Sequence, residues 1–205
     1  MTDQRSRLVR RGLWLNYATL AYNSVEAVVA LIAGHSAGSV ALFGFGIDSV
    51  IEVSASLAAQ WRLRSDDPHR RERVERHTSR IIGISFLALA AYIAVDSVKT
   101  LLDRTRPSQT IVGMVLLVAS VIVMPLLAHA KGKVARSMQS RALSAESRQT
   151  NLCAYLSAIA LAGVALNTFA GWWWADPLAA LAMVPIISRE GFEGIRAEKA
   201  HDDCC

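Results

Sequence analysis

The chain has 205 residues, 53% of them hydrophobic and 19% charged, with a formal charge of +5 and a mean hydropathy of +0.31. Apolar residues this abundant, gathered into blocks instead of spread at a helical period, exclude an ordinary soluble domain and point to a protein dissolved in a bilayer. The positive charge alone would also suit a nucleic-acid binder, so the placement of the basic residues decides between the two.

Six apolar stretches approach the roughly 20 residues a helix needs to cross the hydrocarbon core. They run over 13–33, 40–61, 81–102, 110–130, 143–170 and 174–187, the last being the shortest and expected to extend through Ser188 into "REGFEG". The fold class is therefore read as all-α, a polytopic bundle of six transmembrane helices. Basic residues precede the first stretch (Arg5, Arg7, Arg10, Arg11), crowd the link between the second and third, and recur after the fourth (Lys131, Lys133, Arg136, Arg141, Arg148) and after the sixth (Arg189, Arg196, Lys199). All of these lie on one side of a six-helix zigzag, and only Lys99, Arg104 and Arg106 fall on the other. The positive-inside rule then places both termini in the cytoplasm and accounts for the charge without any nucleic acid.

The first stretch is of spanning length, lacks a small-residue cleavage site and is followed at once by a second, so its basic prefix reads as an orientation signal and not as a cleavable leader. It contains Asn16, Asn23 and Glu26, polar groups that can extend an internal cavity. The second stretch holds "GFGIDSVIEVSAS", with Asp48 and Glu52 four positions apart and so on one helix face, about 6 Å from each other. Facing lipid, each acid would cost about 2.5–3.5 kcal/mol, and the pair would also repel. A divalent cation between them, protons on them, or water reaching them removes that cost. Because carboxylate ligation competes with protonation, the same pair can bind metal and carry protons. The plainer alternative is that both acids bond to polar groups on neighbouring helices and only hold the bundle together.

The inner link "RSDDPHRRERVERHTSR" has Asp66, Asp67, His69 and His77 among six arginines, with Arg62 just ahead of it, and reads as a solvated basic loop meeting anionic headgroups. Late in the third stretch, Asp96 lies within a turn of Lys99 and is expected to pair with it. Pro125 and Pro185 are expected to kink the fourth and sixth helices. The fifth contains "AESRQTNLCAYLS", where Gln149 and Cys153 are again four apart on one face. Counted from the inner boundary, Glu52 lies nine steps from Trp61 and Cys153 nine steps from Ser144, so antiparallel second and fifth helices can bring the four side chains together. Trp172, Trp173 and Trp174 follow as a headgroup anchor. The terminal "HDDCC" has ligand chemistry and is equally open to lipidation or to no role.

"GHSAGSVALFGFGIDSVIEVSAS" resembles the second-helix segment of the cation diffusion facilitator transporters, in which a small-residue "GS-x-AL" opening precedes two acidic or imidazole ligands at i and i+4. "AESRQTNLCAYLS" is similar to that family's fifth-helix pattern "AD-x-x-H-x-x-x-D": Ala145 and Glu146 align, which sets Gln149 at the histidine and Cys153 at the second aspartate. The resemblance runs from about Leu13 to Ser188. It implies a transporter exporting a divalent cation in exchange for protons, a homodimer, and a metal site of Asp48, Glu52, Gln149 and Cys153. Glutamine is a poorer zinc ligand than histidine, whereas a thiolate favours softer ions, so Zn²⁺ is the expected cargo.

The domain reading is a six-helix, cation-efflux-type membrane domain over 1–188 and a short cytoplasmic tail over 189–205, a short form without the cytoplasmic metal-binding domain many members add. The expected setting is multi-pass, in the cell membrane, with metal ion, protons and lipid as partners, no resident cofactor and no nucleic acid. The absence of "HExxH", of a glycine-rich phosphate loop and of a nucleophile beside paired His and acid argues against an enzyme. A non-transporting metal sensor or membrane scaffold is the alternative reading.

Overall fold

The computed structural model describes residues 2–64, 68–138 and 141–202, with side chains described over 10–57, 80–137, 144 and 146–196. Six helices follow in chain order: α1 (Thr2–Ala37), α2 (Val40–Arg64), α3 (Pro68–Leu102), α4 (Ile111–Met138), α5 (Arg141–Ala170) and α6 (Ala175–Asp202), with no strand among the described residues. Five of them, α1 to α5, are long and apolar enough to cross a membrane. α6 is apolar only as far as Ser188, beyond which come Arg189, Glu190 and Glu193, yet it packs along α3 and against α5 as part of the same bundle. Over the described residues the chain is an all-α integral membrane protein of six helices.

Helix length exceeds apolar length on the basic side. α3 begins at Pro68, whose fixed φ and missing N–H suit a first helical position, so much of the supposed inner loop is helical in its backbone. Asp66 and Asp67, the side chains of His69 and His77, and those of the "HDDCC" tail lie outside the described residues. α4 likewise continues to Met138. Lys131, expected in a loop, is thus helical and only 1% exposed. Asp96 also departs from expectation: it accepts a hydrogen bond from Tyr92 at 3.3 Å, with no ion pair to Lys99 among the described residues. Their i, i+3 spacing permits a contact from which a half-buried acid and an exposed lysine near water have little to gain.

α2 is the central element, packed against α1, α3, α5 and α6. Its start is fixed tightly. Gly38, at φ 63°, reverses the chain after α1, a conformation glycine adopts without steric cost. Ser39 then caps α2, its hydroxyl accepting from the Leu42 N–H at 3.1 Å. The buried Asp176 carboxylate, from the first turn of α6, accepts from the Ser39 hydroxyl at 2.5 Å and the Val40 N–H at 2.9 Å. Further along, α1 and α2 touch backbone to backbone: a Cβ on Gly34 would fall 2.6 Å from the Phe43 nitrogen, and one on Gly46 would fall 2.9 Å from the Leu31 nitrogen. Small residues permit such close approach in membrane bundles. Below this crossing the face of α2 that turns inward reads Phe45, Asp48, Ser49, Glu52 and Ser56, all buried.

Candidate metal site

Both acids of α2 point into the bundle, since Asp48 is 5% and Glu52 3% exposed while Val50 and Leu57 on the opposite face are 42% and 50% exposed. A helix with apolar residues toward lipid and acids toward its neighbours has the orientation the insertion cost demands. Facing α2 across the centre, α5 presents Gln149, half-buried, and Cys153, 2% exposed. The four predicted side chains line one cavity, with Glu190 of α6 and the apolar walls Phe86, Leu156 and Ile187. Its free space, about 10 Å³ for the centre of a water-sized sphere, is near what a single water or a bare cation occupies.

The polar groups around this cavity are unevenly satisfied. One oxygen of Glu52 accepts from the Thr150 hydroxyl at 3.2 Å, whereas Oε2 is buried without a partner. Gln149 Nε2 and both amide atoms of Asn23, which faces Glu52 from α1, are also buried and unpaired. A buried polar atom without a partner costs about 1–3 kcal/mol, so this cluster is a costly arrangement unless something polar completes it. Among the described residues, no three histidine, cysteine, aspartate and glutamate side chains stand in a ready-made metal-holding geometry. An ion seated here would gather its ligands by rotamer changes.

A second buried acid group adjoins the first. Glu26, fully buried on α1, accepts from Ser49 Oγ at 2.8 Å and from Ser120 of α4, whose hydroxyl is also 3.1 Å from that of Tyr22. The Cys153 thiol points at it, with Sγ 3.9 Å from Glu26 Oε2. Cys153 therefore sits among three carboxylates from two helices, Glu26, Asp48 and Glu52. Reading the sequence marked Glu26 as a cavity acid but missed Ser49, Ser120 and Thr150, because serine and threonine are common in apolar helices and become informative only once their partners are known. It also missed Glu190.

Comparison with known proteins adds family information to this geometry. The model of the cation efflux transmembrane domain matches residues 17–198, a span that includes every residue of the cavity. An uncharacterised transporter of Synechocystis is 27% identical over 176 residues, 82% of this chain and 57% of that protein. Transmembrane protein 163 of Xenopus laevis is 25% identical over 65% of this chain and 48% of its own length, and Protein p34 of Rickettsia rickettsii is 22% identical over 86% and 60%. The chain thus spans about half to three-fifths of the curated relatives it matches.

Proposed function

The chain belongs to the cation efflux family, and from that premise we propose that it moves a divalent metal cation, Zn²⁺ foremost, across the membrane in exchange for protons. The ion sits between α2 and α5 on Asp48, Glu52, Gln149 and Cys153. One observation supports this reading above the others: side chains with metal-ligand chemistry from two facing helices, three of them almost fully buried, line a single ion-sized cavity.

The proposed chemistry follows from the donors. Two carboxylates and a thiol must be deprotonated to ligate, so cargo entry expels protons and their return expels cargo. A cycle in which the cavity opens to one side, binds, and reopens to the other converts that competition into exchange. The thiolate selects Zn²⁺ over harder ions, and the Gln149 carbonyl contributes a neutral, weaker donor. A homodimer in the cell membrane is the assembly this reading expects.

Uptake of Zn²⁺ into proteoliposomes with an internal fluorescent indicator tests the proposal. Asp48→Ala is expected to lower the initial rate at least about tenfold, with helical content by circular dichroism unchanged, and an undiminished rate would contradict it. Zn²⁺ binding by the unsubstituted protein without flux would favour the sensor or scaffold reading.

A further inference from the structure

Lys131 is a buried charge for which the proposed cycle has no use. It enters the core from α4 with its side chain 1% exposed. Its ammonium lies 3.4 Å from the Thr150 hydroxyl, and that hydroxyl is 3.2 Å from Glu52 Oε1. A single hydroxyl thus separates the amine from a carboxylate of the site. The nearest acid, Glu146, is at 3.7 Å, an ion-pair distance too long for a hydrogen bond, and is 15% exposed. A strongly hydrated ammonium on a flexible four-carbon stem is costly to bury, and it is retained where its charge is needed. The acids that act on it come from two helices: Glu146 of α5 at ion-pair distance and Glu52 of α2 one hydroxyl away.

We propose that Lys131 is a tethered cation that competes with the cargo for Glu52. Its ammonium, poised between Glu146 and Glu52, balances the buried acids when no ion is bound and repels a divalent ion in the site, keeping binding weak enough to be reversible. The proposal rests on the metal-site reading above. Glu146 serves as a positioning residue, drawing the ammonium back from Glu52.

The test is Zn²⁺ binding by isothermal titration calorimetry on the detergent-purified full chain at fixed pH and ionic strength, all proteins also bearing Cys204→Ser and Cys205→Ser so that tail thiols contribute nothing. Lys131→Met, which keeps the bulk and removes the charge, is expected to tighten the Kd at least about tenfold, and Lys131→Arg to leave it within about threefold. Glu146→Gln is expected to weaken binding severalfold in the native background and to have no effect on top of Lys131→Met. Should Lys131→Met alone fail to fold, the double variant Lys131→Met/Glu146→Gln removes both charges of the pair, and it should bind Zn²⁺ at least about tenfold tighter than Glu146→Gln. Unchanged or weaker affinity on loss of the lysine charge overturns the proposal. If Asp48→Ala abolishes binding while Lys131→Met changes nothing, the tethered cation alone is wrong; if Asp48→Ala binds Zn²⁺ as before, the site and the proposal fall together.

Discussion

Cys153 is the residue on which selectivity should turn. It is the only soft donor of the proposed set, buried at 2% exposure with its thiol directed at Glu26. Exchanging it for a hard carboxylate should change which ion is preferred more than whether any ion binds. Cys153→Asp is expected to shift the Zn²⁺ to Mn²⁺ preference toward Mn²⁺ by about tenfold or more, measured as competition between the two ions in equilibrium binding. An unaltered preference would remove the thiol from the ligand set. Residues differ in how legible they were. Asp48 and Glu52 announced themselves, because acids at i, i+4 in an apolar stretch have few inexpensive placements. Gln149 and Cys153 are ordinary in a helix; their shared face and matched depth suggested them, and a family pattern then gave them the part of ligands. Lys131 could not be found: the first charge after a twenty-residue apolar run looks like the membrane boundary, and its burial depends on how α4 packs against α5.

At the scale of elements, the site depends on the α1–α2 corner and its tie to α6. Asp176 accepts hydrogen bonds from the Ser39 hydroxyl and the Val40 N–H, and holds the start of α2 against the start of α6. Asp176→Ala would leave those buried donors short of a partner at a cost of about 1–3 kcal/mol. The expected result is a lower midpoint in thermal unfolding of the detergent-solubilised protein; Asp176→Asn, which keeps an acceptor, should recover much of the loss. If the Ala variant unfolds at the native temperature, the corner is not a stability determinant. The sequence pattern predicted where chain crosses membrane better than where helix begins and ends. Apolarity reports only the lipid-facing length, whereas the Arg-, Glu- and Ala-rich ends of α2, α3 and α4 are good helix formers that extend past it. α6 shows the opposite case, a helix whose apolar part is short for a membrane span and which packs along α3.

For the molecule as a whole, the lopsided basic residues were legible because membrane orientation is set by the linear placement of charge, without reference to packing. They predict that both termini face the cytoplasm. A membrane-impermeant maleimide should then label Cys204 and Cys205 only after the cells are permeabilised, and labelling of intact cells would contradict that orientation. The burial of Cys153 makes it a poor competitor for the reagent. What charge placement could not foretell is the internal balance of the bundle, in which buried Asp48 and Glu52 line one cavity, buried Glu26 adjoins it, and a buried lysine stands one hydroxyl from Glu52. The proposed function requires that a divalent ion seat among those groups, between α2 and α5. Zinc-edge X-ray absorption on the Zn²⁺-loaded protein with Cys204→Ser and Cys205→Ser measures this most directly. The expected spectrum has one sulfur neighbour at about 2.3 Å with oxygen or nitrogen neighbours at about 2.0–2.2 Å, the sulfur vanishing in Cys153→Ser; bound zinc without sulfur, or sulfur that survives Cys153→Ser, would contradict a site built on Cys153.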